Sequence, residues 1–323
     1  MNWLWPERIP LGKLTLLVGD GGIGKSTLTA DVVSRVTRGA GWPDAPASQA
    51  VGSVLLITGE DGVSDTIRPR CEAAGADLSR VLHKATVALP EGGTRMLDLS
   101  RDIDIIRRIH QNHPDLLAVV VDPVSAFFGT GNPNRDTDVR AVMEPLAQLA
   151  EELEIAILIV AHINKGTQAS AQHRVCGSTG FVNVVRKAWF VGPDPDNPDR
   201  RLFVWLKGNV GRRVPGLAFT IDDDGEAEQS RVVWDDERVE MSVEQLLAPI
   251  TPTARKPAKP RDEVRQWIGK ALVDGPRPSA EFDEEWKAAG FSESTVRRVG
   301  KQMGLRRHRP AGSSVWYVAL PED

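Results

Sequence analysis

An apolar run, a glycine-rich turn and an amphipathic segment follow one another near the start of the chain. The run is LTLLV (14–18), the turn is GDGGIGKS (19–26), and the segment is TLTADVVSRVTRG (27–39). The turn matches the pattern G-x-x-x-x-G-K-[ST], which is informative where a strand precedes it and a helix follows it. This order predicts a buried strand, a phosphate-binding loop and a helix, and therefore an α/β fold.

Glycines in such a loop let backbone N–H groups turn inward onto phosphates, and the start of the following helix adds a positive dipole. Lys25 is then expected to reach the β- and γ-phosphates, and Ser26 to hold Mg²⁺. The alternative is a glycine-rich surface turn, which the flanking strand and helix argue against. The candidate nucleotide-binding residues are Gly19, Gly21, Gly22, Gly24, Lys25, Ser26 and Thr27.

Three further apolar runs, at 53–58, 116–122 and 155–160, alternate with segments whose apolar residues recur every three or four positions. Continuous apolar strands alternating with amphipathic helices indicate a parallel sheet covered on both faces. After about residue 187, four apolar runs follow without long helices, which predicts antiparallel strands that complete the sheet. The predicted fold class is α/β, with a mainly parallel central sheet.

Polar residues with catalytic chemistry follow these runs. Asp122 ends LLAVVVD, the position of a carboxylate that holds Mg²⁺ beside a phosphate loop; a turn-capping aspartate is the alternative. Glu60 and Asp61 follow SVLLIT, at the sheet edge where ligands bind in such folds, although a solvated acidic turn has the same pattern. His162 is a candidate γ-phosphate sensor, whereas most lone histidines in such positions are structural.

The composition excludes several classes of protein. The two cysteines, Cys71 and Cys176, give neither a disulfide framework nor a zinc site. The sequence has no apolar run of the ~18 residues that a membrane span needs, and its start lacks the apolar region of a signal peptide. We therefore expect a cytoplasmic protein without a membrane partner.

A proline- and lysine-rich stretch, PITPTARKPAKPRD, divides the chain. Its prolines and its lack of apolar periodicity predict an extended linker. From Arg255 to Asp323 the chain carries 14 Lys and Arg against 10 Asp and Glu, although the whole chain has a net charge of −4. We expect a P-loop domain at 1–248, a linker at 249–262 and a smaller basic domain at 263–323.

The smaller domain is predicted to contain three short helices followed by a β-hairpin. A helix-turn-helix with a wing, whose recognition-like helix is 294–304, is the economical description. Such a module binds DNA or another protein, and the clustering of positive charge favours DNA. The candidate DNA contacts are Arg297, Arg298, Lys301, Arg306, Arg307 and Arg309.

Four stretches together resemble a known family. LWPERIPLGKLTLLVGDGGIGKSTL, LLITGEDG, VVVDPVSAFFG and IVAHINKG occur in the order and spacing of the RecA/DnaB-type hexameric ATPases, a group of AAA-type ATPases. Over about residues 1–248 the chain is most similar to RepA-type plasmid replicative helicases and to the ATPase domains of phage-type primase-helicases. The resemblance implies a RecA-like core, ATP and Mg²⁺ as cofactors, and a ring, expected to be a hexamer.

The resemblance also implies roles for single residues. Glu60 becomes the catalytic carboxylate and Asp61 a supporting acid, Asp122 becomes the Walker B residue, and His162 becomes the phosphate sensor. Together with Lys25 they form the catalytic set within one subunit.

In this family ATP lies between subunits, and the neighbouring subunit supplies a cation. Arg186, in GSTGFVNVVRKAW, is the candidate arginine finger, with an ordinary surface cation as the alternative. Lys207, in LKGNVG, is a second candidate, because the stretch resembles a lysine-asparagine-arginine-x-glycine element. The arginine of that element is absent, since Asn209 and Val210 occupy the region, which leaves the role of Lys207 open.

DNA-contacting loops in this class face the central channel of the ring. Here they would be GTGNPNRDTDVR and the loop 165–180. Their basic residues would track phosphates rather than read bases. The candidates are Arg135, Arg140, Lys165 and Arg174.

The sequence thus favours an ATP-driven ring that translocates on single-stranded DNA and unwinds a replication fork, with duplex DNA at the basic domain and a separate primase as a partner. A second hypothesis is a DNA-binding ATPase that regulates or loads replication or recombination proteins without unwinding. The basic tail fits both. A third hypothesis, a phosphotransferase of the clock-ATPase type, leaves the tail without a purpose.

Overall fold

The computed structural model describes residues 1–47, 49–163, 179–222, 230–247, 261–291, 293–309 and 315–321. The chain divides into two compact units, Met1–Ala248 and Pro249–Asp323. Within the described ranges, no helix has the length and apolar character needed to cross a membrane.

The described part of the first unit is built from strands and helices that alternate along the chain. Its strands are β1 (Trp3–Trp5), β2 (Ile9–Pro10), β3 (Leu14–Gly19), β4 (Ser53–Thr58), β5 (Val81–His83), β6 (Thr86–Ala88), β7 (Thr94–Met96), β8 (Leu116–Asp122), β9 (Ala156–His162), β10 (Lys187–Pro193), β11 (Arg200–Gly208), β12 (Gly216–Asp222) and β13 (Arg231–Val239). Its helices are α1 (Lys25–Arg38), α2 (Arg68–Ala73), α3 (Asp104–Asn112), α4 (Asp136–Leu153), α5 (Thr179–Val184) and α6 (Val243–Leu247).

Nine of the strands form one sheet in the order β13-β12-β11-β10-β3-β9-β8-β4-β5. The strands from β10 to β5 in this order are parallel, and β11, β12 and β13 extend the sheet antiparallel. The predicted α/β class with a mainly parallel sheet is confirmed. The sequence prediction was wrong for β10, which pairs parallel with β3 because the chain crosses back to the edge where β3 begins.

Alternate side chains of β3 face opposite sides of this sheet. Leu16 and Val18 lie in one buried cluster with Leu146 of α4, whereas Leu17 lies in a second cluster with Val33 of α1. Each face of the strand is therefore covered by a helix, as expected for a parallel sheet. This packing fixes the end of β3, and with it the loop that follows, between two helical layers.

An N-terminal hairpin of β1 and β2 adds aromatic side chains to the second cluster. The rings of Trp5 and Trp42 stack at 4.7 Å between centroids, and the guanidinium of Arg8 lies 4.9 Å from the centroid of Trp189. Arg8 is fully buried and pairs with Asp44 at 2.8 Å. Burial lowers the pKa of Arg8 and the hydrogen bond to Asp44 opposes that shift, so the cation is held by its partner and by the rings.

The second unit has its own small core. Val264, Phe282, Val299 and Val318 are buried together in it. Its strands form a sheet of order β14-β16-β15, and β14 was not predicted from the sequence because it has two residues. The described elements are α7 (Arg261–Ala271), β14 (Arg277–Pro278), α8 (Ser279–Ala288), α9 (Glu293–Gln302), β15 (Arg306–His308) and β16 (Tyr317–Ala319).

Candidate active site

The loop between β3 and α1 has the backbone geometry of a phosphate cradle. Gly22 and Gly24 have φ of 73° and 97°, a left-handed conformation that glycine adopts without strain. Gly24 is also the N-cap of α1 and has no side chain to cap the helix. The amide groups of the first turn, which belong to Lys25, Ser26 and Thr27, therefore receive no cap from it and suit an anion.

Lys25 is buried at the start of α1. Its Nζ atom donates to the carbonyl oxygens of Gly19 at 2.9 Å and Asp20 at 2.8 Å, and it lies 3.2 Å from Nδ1 of His162. The ammonium group is thus held at the loop by oxygen atoms and one ring nitrogen. A phosphate entering the cradle would replace weak carbonyl partners with charged oxygens, which are stronger acceptors.

Strand register brings the remaining candidate residues to the same edge of the sheet. Gly19 is aligned with His162 of β9, and Thr58 of β4 is aligned with Asp122 of β8. Because parallel strands end at one edge, residues that follow four different strands meet there. The sequence prediction placed these side chains on strand ends, and the sheet order explains why they converge.

Asp122, at the end of β8, contacts the last residue of the phosphate loop. It accepts a side-chain hydrogen bond from Ser26. Burial raises the pKa of Asp122, while this hydrogen bond and the charge of Lys25 lower it. Ser26 and Asp122 are thus adjacent, and their oxygen atoms could together hold a Mg²⁺ ion.

Glu60 and Asp61 follow β4 and are both exposed at the mouth of the site. Asp61 pairs with Arg70 of α2 at 2.8 Å, and its charge raises the pKa of Asp122. The two acids therefore differ in their surroundings. Asp61 is engaged by a cation in its own subunit, whereas Glu60 faces the cavity as a candidate to orient water.

These residues line a cavity of about 360 Å³, a size typical of small-molecule sites. Several lining residues were not candidates in the sequence analysis, and three of these lie close together in the sequence. Ile67, Arg70 and Cys71 line it together, and their spacing of three and four residues places them on one helical face. That spacing was the available signal. Burial raises the pKa of the Cys71 thiol to about 11, so the thiol is protonated at neutral pH.

A second polar contact supports the end of β4. Oγ1 of Thr58, which lines the cavity, lies 3.0 Å from Nε2 of His83 on β5. Burial lowers the pKa of His83, and a hydrogen bond to the Thr58 backbone opposes this shift. The contact between the two side chains helps to fix Thr58 two residues before Glu60.

The donor set fits ATP and Mg²⁺. Within the described ranges, no group of three or more His, Cys, Asp or Glu side chains could hold a metal ion. Mg²⁺ commonly takes one or two protein ligands and completes its shell with phosphate oxygens and water. Ser26 and Asp122 can supply that share, beside a lysine and a helix N-terminus that suit the phosphates.

The candidate trans-acting residues lie at the opposite edge of the sheet. Arg186 directly precedes β10, where Lys187 is aligned with Thr15, four residues before Gly19 on the parallel strand β3. That separation is roughly 13 Å along the strand, which keeps Arg186 away from its own phosphate loop. Nζ of Lys207 donates to the carbonyl of Val182 at 2.5 Å.

Arg186 and Lys207 also differ in exposure. Arg186 is exposed and Lys207 is half-buried. Burial lowers the pKa of Lys207, and the charge of Arg186 adds to that effect. Arg186 is therefore the better placed of the two to meet another molecule.

The predicted channel contacts are only partly described. Arg135 is exposed and is the N-cap residue of α4. Arg140 was predicted in a loop but lies within α4, where it pairs with Asp136 at 2.8 Å and Glu144 at 3.2 Å. The acidic first turn favours the helix there. Lys165 and Arg174 lie outside the described residues.

In the second unit the predicted DNA contacts gather on α9 and around β15. Arg297, Lys301, Arg306 and Arg309 are exposed. Arg307 pairs with Asp283 of α8 at 2.8 Å. The Arg309 guanidinium lies 5.9 Å from the ring centroid of Trp316. Arg298 belongs to α9, but its side chain is not among those described.

The AAA domain family matches residues 1–168, more than half of the chain, and the chain belongs to this family. It is a P-loop ATPase, and its cofactors are ATP and Mg²⁺. The matches establish this class and leave the RepA-type helicase assignment as a hypothesis.

Individual relatives were found by sequence and by structure. DNA repair protein RadA of Streptococcus pneumoniae is 31% identical over 162 residues, 49% of this chain and 32% of that protein. RadA of Mycobacterium tuberculosis is 29% identical over 155 residues, 48% of this chain and 28% of that protein. The matched stretch thus spans about a third of these relatives. A crystal structure of the RadB recombinase has a TM-score of 0.47 at 17% identity, covering 66% of this chain and 89% of that one.

Proposed function

We propose that this chain is an ATP-driven motor that assembles head to tail into a ring and translocates on single-stranded DNA. One observation carries the proposal: the nucleotide site lies at one edge of the sheet, and the Arg186 cation lies at the other. A head-to-tail contact joins two different surfaces and closes into a ring when the rotation fits. It would bring Arg186 of one copy to the nucleotide site of the next.

In the proposed reaction, Lys25 and the first-turn amides of α1 bind the phosphates and neutralise charge as the terminal phosphate leaves. Ser26 and Asp122 would hold Mg²⁺, which would offset the negative charge of the phosphates. Glu60 orients the attacking water and accepts its proton. His162, which lies beside Lys25, senses the terminal phosphate.

The nucleic-acid part of the proposal has two supports. The relatives are named DNA repair proteins, which favours repair or recombination as the setting as well as replication. The exposed cations of α9 and β15 supply the positive surface that phosphate backbones attract. The ring size of six, a replicative helicase role and a separate primase partner stay predictions from the RepA-type resemblance.

We propose further that the second unit is a winged-helix DNA-binding domain, in line with the predicted division at 249–262. Its helices α8 and α9 are followed by the hairpin of β15 and β16. Trp316 is 52% exposed and stands beside Arg309. An exposed ring next to a guanidinium suits contact with a nucleobase or sugar.

A second candidate function is a DNA-binding ATPase that regulates or loads other proteins without unwinding. The ion pairs of Arg140 with Asp136 and Glu144 favour it, because they remove one predicted cation from the channel. The basic surface of the second unit serves this function equally well. The two candidates differ in what the ATPase cycle does to DNA.

Unwinding of a duplex with a single-stranded tail separates these candidates. The motor is expected to displace the strand only with hydrolysable ATP, and the Glu60→Gln variant is expected to bind the tail without displacement. Binding and ATP hydrolysis without displacement, on both 5′- and 3′-tailed substrates, would contradict the helicase and favour the regulator. Phosphate transferred from ATP to a protein would instead favour the phosphotransferase.

A further inference from the structure

The backbone of Arg186 is fixed between two strands. Its amide donates to the carbonyl of Leu14 at 3.1 Å, and its carbonyl accepts from the amide of Asn209 at 3.2 Å. Asn209 follows β11 in the turn that ends at Gly211, whose φ is 64°. Arg186 and Asn209 are both exposed, so their contact lies on the surface of the unit.

The side chain of Asn209 makes a second contact with the same residue. With its amide oriented to satisfy both groups, its nitrogen donates to the Arg186 carbonyl at 3.1 Å, and its oxygen accepts from Nη1 of Arg186 at 3.0 Å. One small side chain thus ties the guanidinium to its own main chain. A free arginine side chain has many rotamers and loses that freedom when it is ordered, so a restraint formed in advance reduces this cost.

The chemistry of this partner matters as much as its position. Other surface arginines of the unit pair with carboxylates, as Arg107 does with Glu152 at 2.7 Å. Among the described residues, the side-chain partner of Arg186 is a neutral amide, which restrains the guanidinium and leaves its charge for another anion. A preorganised cation stabilises developing charge without paying for reorganisation during the reaction.

We propose that Asn209 is a positioning residue that holds Arg186 ready for the nucleotide site of a neighbouring copy of this chain. The proposal rests on the proposed function, in which Arg186 acts across the subunit contact. Because misplacement of a catalytic group by about 1 Å can cost roughly 100-fold in rate, loss of the restraint is expected to lower kcat rather than to weaken ATP binding.

The test measures steady-state ATP hydrolysis by the full-length chain. Asn209→Ala is expected to lower kcat by about 10- to 100-fold and to change KM by less than about threefold. Asn209→Asp keeps the size and turn preference of the residue but pairs with the guanidinium charge, so its kcat is also expected to fall. Asn183→Ala, an exposed asparagine on α5, is the matched control and is expected to hydrolyse ATP at the wild-type rate.

Mixing subunits tests whether the effect crosses the contact. Lys25→Ala and Asn209→Ala chains are each deficient alone and are expected to recover activity when they are mixed. In random head-to-tail rings of equal parts, about a quarter of the sites combine an intact Lys25 from one chain with an intact Asn209 from the next. The mixture is therefore expected to reach up to about a quarter of the wild-type rate. If both Asn209 variants have the wild-type kcat while Arg186→Ala is deficient, the role of Asn209 is overturned and that of Arg186 stands. Wild-type kcat in Arg186→Ala would overturn the proposed action of Arg186 itself. Thermal unfolding of each variant verifies that it is folded.

Discussion

Nζ of Lys25 lies 3.2 Å from Nδ1 of His162, although the two residues follow different strands. The alignment of Gly19 with His162 on adjacent parallel strands produces this contact. The histidine therefore touches the lysine that is expected to bind the terminal phosphate, and it begins the connection towards α5. The pair thus joins the end of β9 to the phosphate loop.

Replacement of His162 by Ala is expected to separate binding from hydrolysis. Lys25 and the loop amides remain, so affinity for ATP should change by less than about threefold, while hydrolysis falls by about tenfold or more. Titration with a fluorescent ATP analogue and a steady-state ATPase assay measure the two effects. His110→Ala on α3 is the control, and equal losses in both assays would argue against a sensor role.

The phosphate loop should be most sensitive at Gly24. A Cβ built there would lie 2.3 Å from Cδ1 of Ile221, and the residue has a φ of 97°. Gly24→Ala is therefore expected to weaken ATP binding by more than about tenfold, because the strained backbone costs roughly 1–2 kcal/mol before any clash. Gly21→Ala, where a Cβ meets no atom within 4 Å, should lose much less. Equal affinities of the two variants, measured by calorimetry, would contradict this geometry.

The two neighbouring acids should behave differently. Glu60→Gln is expected to lower the rate of hydrolysis by about 10²–10⁴-fold while ATP still binds, since it removes a general base. Asp61→Asn breaks the pair with Arg70 and should cost less than about tenfold, as expected for an exposed ion pair. Single-turnover hydrolysis with saturating enzyme measures the chemical step. A larger loss in Asp61→Asn would reverse the assignment.

Lys187 should make stability depend on pH above neutrality. Burial lowers its pKa from 10.5 to about 8, although its Nζ atom lies 4.3 Å from the centroid of Trp205. Below pH 8 the lysine is charged in both states and its burial costs stability. Between about pH 8 and 10.5 the folded state releases the proton first, so the free energy of unfolding rises with pH.

The Lys187→Met variant tests whether Lys187 makes the free energy of unfolding rise with pH. At about pH 7 it should be more stable than the wild type by up to roughly 3 kcal/mol, and the difference should shrink by about pH 9.5. Urea unfolding at both pH values measures the difference in the free energy of unfolding between the two proteins. The pKa of Cys71 is raised by burial, which has the opposite effect on stability in this pH range. Cys71 is present in both proteins, so its effect cancels in the comparison. A difference that grows with pH would show that Lys187 is not buried as a cation.

The basic face of the second unit should control affinity for DNA through salt-dependent contacts. Loss of Arg297 and Lys301 together is expected to reduce the slope of log K against log salt by about 2. Arg307→Ala should reduce it less, because Arg307 is paired with Asp283. Fluorescence anisotropy with labelled duplex and single strands at several salt concentrations gives the slopes. Unchanged slopes would favour a protein-interaction module.

The central sheet and the phosphate loop could be predicted because their signals are local. The apolar run before Gly19, the glycines and the amphipathic helix are contiguous in the sequence, so no distant contact is needed to recognise them. The order of the strands places Asp122 and His162 beside the loop. This was expected, because ligands bind at the carboxyl ends of the strands in such sheets.

Other features depend on contacts between residues far apart in the chain. Arg8 is buried against Trp189, and no periodicity in the sequence links these positions. Arg70 lines the cavity and pairs with Asp61, from a helix that follows a short π-helix, Val63–Ile67. Arg140 was misplaced in a loop because the acidic start of its helix was interpreted as a polar turn. Tertiary packing decides the position of Arg8, whereas the ion pairs of Arg140 are local to its helix.

The most direct test of the account is the rate of ATP hydrolysis with and without single-stranded DNA, measured beside duplex DNA and with Lys25→Ala as the control. A translocating motor is expected to hydrolyse ATP at a rate that single strands stimulate strongly, and the Lys25→Ala variant is expected to lack this activity. A rate that ignores single strands, or that responds only to duplex through the second unit, would contradict a translocating motor.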